Sequence, residues 1–204
     1  MTVKFEIEMP GKDNDMQPIF LKHSGAKEKW YLGGIDEGIE IAVEDVMIDL
    51  ESLATGWGYW ENKAPYYHYS WDEKLTVDSG RPDGDEWKRA FSCYIKVRGH
   101  DDPLVWRSHS WGELQGFQGM MQTLPFKSIH PIVLDGAADG KLPIVKYLRS
   151  EKPKDIQSSI PIFEFVGFGD RPENFTTPSW YLSQINPGQI DEAPQEKPED
   201  DIPF

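Results

Sequence analysis

Apolar and polar residues alternate along several stretches of the chain. From Gly38 to Leu50, apolar residues stand at Ile39, Ile41 and Val43 and then at Val46, Ile48 and Leu50, with the phase slipping at Glu44 and Asp45. Period two with one slip predicts a long strand bent by a β-bulge. From Phe91 to Arg98 the alternation is clean: Phe91, Cys93, Ile95 and Val97 lie on one face, and Ser92, Tyr94, Lys96 and Arg98 on the other. A Gly-His-Asp-Asp-Pro turn then leads into Leu104 to His109, so these two strands form a hairpin. Ser110 and Glu113 have capping-box spacing, and Leu114, Phe117, Met121 and Leu124 follow at helical intervals. A helix of about three turns is predicted there, weakened by Gly116 and Gly119. Two short runs, Leu142 to Leu148 and Ile160 to Phe168, are apolar on both faces and read as strands with little exposure.

The order is three strands, a helix and two strands, after an N-terminal extension to about residue 36 that has room for one more hairpin. That is the order of an OB-fold, a five-stranded Greek-key barrel with one short helix between strands three and four. The fold class is therefore mainly β. Residues 1–186 form the domain, with an insertion at 52–89, and residues 187–204 form a disordered tail rich in Pro, Gln and acids.

Composition sharpens this reading. The single cysteine, Cys93, excludes a disulfide framework or a cysteine-rich metal site within one chain. No run of about 18 apolar residues is present and the N-terminus has no apolar signal core, so a cytoplasmic protein without a membrane partner is expected. A net charge of −14 argues at first against nucleic acid, because phosphate binding rests on Lys and Arg. The tail holds six acids against one base, so it carries −5 of that charge and the body carries −9.

The insertion contains GWGYWENKAPYYHYSW, and seven of the fifteen residues from Trp57 to Trp71 are aromatic. It falls in the loop after the first strand, one of the places where an OB-fold binds its ligand. Stacking on an aromatic face tolerates any base, so several platforms beside scattered cations suit a single strand. The candidate contacts are Trp57, Tyr59, Trp60, Lys63, Tyr66, Tyr67, Trp71, Lys88 and Arg89, joined on the strand faces by Tyr94, Lys96, Arg98 and Arg107. Tyr94 is favoured because its alternation partners are charged and are expected to face water. Each aromatic taken singly is more often core packing, and Trp57, Trp60 and Trp71 would serve equally to plug one end of the barrel.

No catalytic set emerges. The five histidines lack zinc-type spacing, and His100-Asp101-Asp102 sits in a turn where Asp is favoured locally. There is no P-loop, Rossmann glycine pattern or nucleophile elbow, and no cofactor or metal is implied. A binding protein is expected, not an enzyme.

The last residues, Glu199-Asp-Asp-Ile-Pro-Phe204, resemble the C-terminal tip of the bacterial single-stranded DNA-binding protein family. The resemblance implies that Asp200 and Asp201 steer a basic partner surface while Ile202, Pro203 and Phe204 anchor in apolar pockets on a polymerase, helicase or nuclease. The physics agrees, since flexible acids speed encounter and a terminal aromatic with its carboxylate supplies the anchor. The body lacks that family's Asp-Pro-Glu opening turn and looks more like the diverged bacteriophage members, which also join an OB-fold to an acidic tail. Such a likeness implies sequence-independent binding and protection of single-stranded DNA in phage replication, recombination or repair, in the host cytoplasm. A homo-oligomer is compatible with this. The rival reading is a carbohydrate-binding module that stacks sugars on the same aromatics.

Overall fold

In the computed structural model, residues 19–33, 38–61, 64–69, 81–129, 132–138, 140–154 and 156–175 are described. The chain runs β1 (Phe20–Ser24), β2 (Lys29–Leu32), β3 (Ile39–Ile41), β4 (Asp45–Glu61), β5 (Ala64–Tyr69), β6 (Lys88–Val97) and β7 (Leu104–Ser108). Helix α1 (Trp111–Thr123) follows, then β8 (Phe126–Ile129), β9 (Ile132–Leu134), β10 (Lys141–Glu151) and β11 (Ile160–Asp170). The mainly β expectation holds, with one helix among the described residues.

Nine strands form a single curled sheet in the order β11-β10-β4-β6-β7-β1-β2-β3, with β5 paired to β4 outside this path. The expectation of five strands thus falls short. The central run β10-β4-β6-β7 is antiparallel throughout, and its fourth strand in sequence returns beside the first, which is a Greek key. Strand β1 adds to the free edge of β7 in parallel, so the N-terminal extension contributes sheet and not merely an appendage.

The expected bulged strand from Gly38 to Leu50 is two strands. The phase slip at Glu44 and Asp45 marks a change of partner: β3 pairs with β2, whereas β4 pairs with β6 and β10. A true irregularity lies further on, where Asp49 opposes Tyr94 but the next pair is Ala54 with Ser92. Four residues of β4 there face only Cys93 across the gap, so the alternation changes phase again. Ser52 replaces the lost ladder bonds: its hydroxyl donates to the Asp49 carbonyl at 2.6 Å and accepts from the Tyr94 N–H at 2.7 Å.

Inward-facing Val46, Ile48, Leu50, Leu53, Phe91, Cys93, Ile95, Val97, Leu104 and Trp106 form the main core. Aromatic rings close the curl where backbone pairing does not: Trp30 on β2 and Phe163 on β11 both meet Trp106 on β7, at 5.5 and 5.6 Å. Phe117 of α1 stacks on Phe91 at 4.1 Å, so the helix fills the concave side.

The helix begins as its spacing predicts, with the Ser110 hydroxyl accepting from the Glu113 N–H at 3.4 Å. The glycines that lower its propensity differ in what surrounds them. A Cβ on Gly116 would come 2.5 Å from Pro161 Cγ, so only glycine lets α1 lie this close to β11. Nothing stands within 4 Å of the corresponding point on Gly119.

Candidate functional site

Where it is described, as the end of β4 and as β5, the aromatic insertion is a β-ribbon, not a loop. Strand β4 runs on to Glu61 and β5 pairs antiparallel with it, Gly58 with Tyr67 and Tyr59 with Tyr66. A ribbon sends alternate side chains to opposite sides. The predicted site therefore divides into two clusters.

Trp57 and Tyr59 lie on the side continuous with the core. Trp57 is only 3% exposed, with the Arg89 guanidinium 4.5 Å and that of Arg81 5.5 Å from its ring centroid. Arg89 is also its cross-strand partner, so the cation–π contact follows from register. Tyr59 packs edge-on against Trp87 at 4.5 Å. Trp57 here packs, as a structural tryptophan does.

The opposite, outer side carries a continuous run of rings and cations across β1, β7, β4 and β5. Arg107 Cζ lies 4.0 Å from the Phe20 ring centroid and 4.8 Å from that of Tyr67. Tyr67 reaches His109, its hydroxyl 3.3 Å from Nδ1. The His109 ring lies 5.7 Å from that of Trp60, which is 60% exposed. Gly58 sits beneath: a Cβ there would stand 3.0 Å from the Tyr67 ring and 3.1 Å from His109 Nδ1. Glycine at this point lets both rings rest on the ribbon backbone.

The electrostatics keep the rings neutral and the rim positive. Burial, reinforced by the charges of Lys22 and Lys88, brings His109 down to about 4. Burial holds the Tyr67 phenol up at about 12. With both neutral at physiological pH, the phenol and Nδ1 share one hydrogen bond whose donor is set by the imidazole tautomer. Lys88 is exposed beside them, while Lys22 is drawn down by burial and donates to the Arg107 carbonyl. Glu113 anchors this corner: its buried carboxyl, raised by desolvation and opposed by Lys22, accepts from the His23 N–H at 2.6 Å. The Glu113 carboxylate of the predicted capping box thus joins β1 instead of turning back on its own helix.

Tyr94 is the clearest departure from expectation. It lies on the outer face yet is only 7% exposed, because Phe175 stacks on it at 5.5 Å and 27°. Residues 171–175 are fastened over it by Arg171, which pairs with buried Asp49, and by Asn174, which donates to the Asp101 carbonyl at 2.8 Å. Phe175 thus covers the Tyr94 ring that was expected to face water.

Lys96 donates to the Asp101 carbonyl and sits 3.4 Å from Asn174 Oδ1, and Arg98 pairs with Asp45 at 2.7 Å, both beyond the ring cluster. Lys63, Trp71 and Asp200 to Phe204 lie outside the described residues, as does the side chain of Tyr66. The sequence reading missed Phe20, Lys22 and His109. Phe20 and Lys22 stand on a strand whose pairing with β7 is 85 residues distant in sequence for the Lys22–Arg107 contact. His109 lay in view, at the end of a predicted strand beside a cation.

Among the described residues no helix is long and apolar enough to cross a membrane, and no group of His, Cys, Asp and Glu gathers as a metal site. No protein-family model, curated protein or solved structure matches the chain.

Proposed function

We propose that the chain binds single-stranded DNA without reading its sequence, using the outer face of β1, β7 and the β4–β5 ribbon, and that it acts in DNA replication, recombination or repair. The observation that carries this reading is the run Phe20, Arg107, Tyr67, His109 and Trp60, in which rings and a guanidinium follow one another across one face with Lys88 at its edge. Of these rings Trp60 offers an exposed face on which any base can stack, the buried His109 and partly buried Tyr67 back it, and neighbouring cations attract the backbone. The Greek-key core with α1 between its third and fourth strands supports an OB-type barrel, enlarged by β1, β2, β3 and the ribbon. In such a barrel the face of strands two and three takes the ligand, and β6 and β7 are those strands here.

The acidic segment with Asp200, Asp201, Ile202, Pro203 and Phe204 serves, on this reading, to recruit replication and recombination enzymes. Its support is the motif itself.

The test is a titration of intrinsic tryptophan fluorescence with single-stranded oligo-dT, repeated with duplex DNA and at raised salt. Quenching by the single strand that fades steeply with salt is expected, because binding releases counterions. Absence of quenching sinks the reading. Salt-indifferent quenching by an oligosaccharide, with none by DNA, supports stacking on sugar rings instead.

A further inference from the structure

We propose that Arg107 is a pre-organised phosphate fork, which receives one backbone phosphate of a single strand through the N–H edge of its guanidinium. The proposal deepens the reading above and rests on it.

Arg107 differs from Arg89, Arg98 and Lys22. Arg98 has Asp45, Arg89 lies over Trp57 and Lys22 is drawn to Glu113, whereas no carboxylate among the described residues pairs with Arg107. Its guanidinium is packed against two rings brought from different strands, Phe20 on β1 and Tyr67 on β5. Its Nε is buried and has no hydrogen-bond partner among the described residues. Buried donors are nearly always satisfied, so the unpaired Nε leaves this guanidinium with hydrogen-bonding capacity that the described residues do not use. The planar fork of arginine matches two oxygens of a phosphate, and rings that hold it in place remove most of the rotamer freedom that binding would otherwise cost. Trp60, 60% exposed, continues the same face and supplies the stacking surface for an adjacent base, with the buried His109 ring behind it.

The test compares wild type, Arg107→Ala and Arg107→Lys in fluorescence titrations with oligo-dT, oligo-dA and a mixed oligonucleotide containing dG. Arg149→Lys on β10 serves as the control. Arg107→Ala is expected to weaken all three strands alike, by roughly tenfold or more, and to lower the slope of log affinity against log salt by about 0.7. Arg107→Lys should restore the slope but not the affinity, because an ammonium keeps the charge and loses the fork. A Lys variant that binds like wild type overturns the proposal, as does a loss confined to the strand with dG, which would mean a base edge is read. If wild type binds none of the strands, the functional reading fails with it. Where a variant fails to fold, the Arg107 Nε–H resonance of the labelled wild-type protein decides: it should shift and exchange more slowly when oligo-dT is added, and an unmoved resonance overturns the proposal.

Discussion

Asp49 and Arg171, 122 residues apart in the chain, meet through both guanidinium nitrogens at 2.9 and 3.1 Å, with the carboxylate only 1% exposed. Arg171 also donates to the Phe175 carbonyl at 3.2 Å, so one side chain fixes the end of β11, the Phe175 cover and the irregularity in β4. Removing Arg171 strips the buried carboxylate of its two-pronged arginine partner. Arg171→Ala should therefore cost about 3 kcal/mol, the low end for a broken buried pair because Arg171 itself is partly exposed. Glu51→Ala removes only a 3.5 Å contact from an 89% exposed carboxylate and should change stability by less than about 0.5 kcal/mol. Urea midpoints of the two variants check the contrast.

The helix glycines give a second contrast. Gly116→Ala gains about 1 kcal/mol in helix propensity but drives a methyl into Pro161, a clash worth about 1–3 kcal/mol, so a net loss is expected. Gly119→Ala meets nothing within 4 Å and should stabilise by up to about 1 kcal/mol. Thermal unfolding should show the two midpoints moving in opposite directions.

Trp57 and Trp60 stand three residues apart and should behave as different kinds of residue. Trp57→Ala empties a packed site and should cost about 3–5 kcal/mol of stability. Trp60→Ala should leave the urea midpoint nearly unchanged while weakening oligo-dT binding by about 5- to 150-fold, the worth of one stacked base. Equal loss of stability in both variants would contradict the two-sided ribbon.

Two buried histidines set an acid limit on stability. His23 and His109 both fall from 6.5 to about 4, so the unfolded chain takes up protons in this window before the native state does. Their contribution is complete above about 6.5 and is lost progressively as pH falls toward 4. Glu113, raised by burial, titrates with the opposite sign, since its folded form holds a proton the unfolded chain releases. His23→Gln and His109→Gln should each flatten the fall of the urea midpoint between pH 6.5 and 4.

The acidic segment gives a further test of the proposed DNA binding. A chain ending at Asn186 lacks six acids and one base; on the proposed function, such acids would compete with DNA for cations. Higher affinity for oligo-dT at low salt, with a shallower salt dependence, is the expected outcome. Unchanged or lower affinity in the fluorescence titration would remove the competition.

Strands β6, β7, β10 and β11 and the helix were legible in the sequence, because alternation and capping are written into neighbouring residues. The clean alternation from Phe91 to Arg98 reappears as β6, and the Ser110 cap starts α1 where its spacing puts it. The slip at Glu44 and Asp45 was visible but its meaning was not. A break in period looks the same whether a strand bulges or changes partner, and only the pairing of β3 with β2 separates the two. The hairpin of β8 and β9 was missed, for Phe126 to Leu134 is too short to establish a period.

The site divides along the same line. Sequence alone determined that aromatics and cations would crowd the segment after the first long strand, since their spacing on a strand is local. Which of them face outward was decided by the tertiary structure. The four-residue irregularity after Asp49 shifts the phase of β4, sending Trp57 inward and Trp60 outward. Phe175, brought back over the sheet by Arg171, closes Tyr94, while Phe20 and Tyr67 come from two other strands to hold Arg107. Alternation names the two faces of a strand, but exposure depends on what other parts of the chain lay over them, and that is a matter of contacts between residues far apart in sequence.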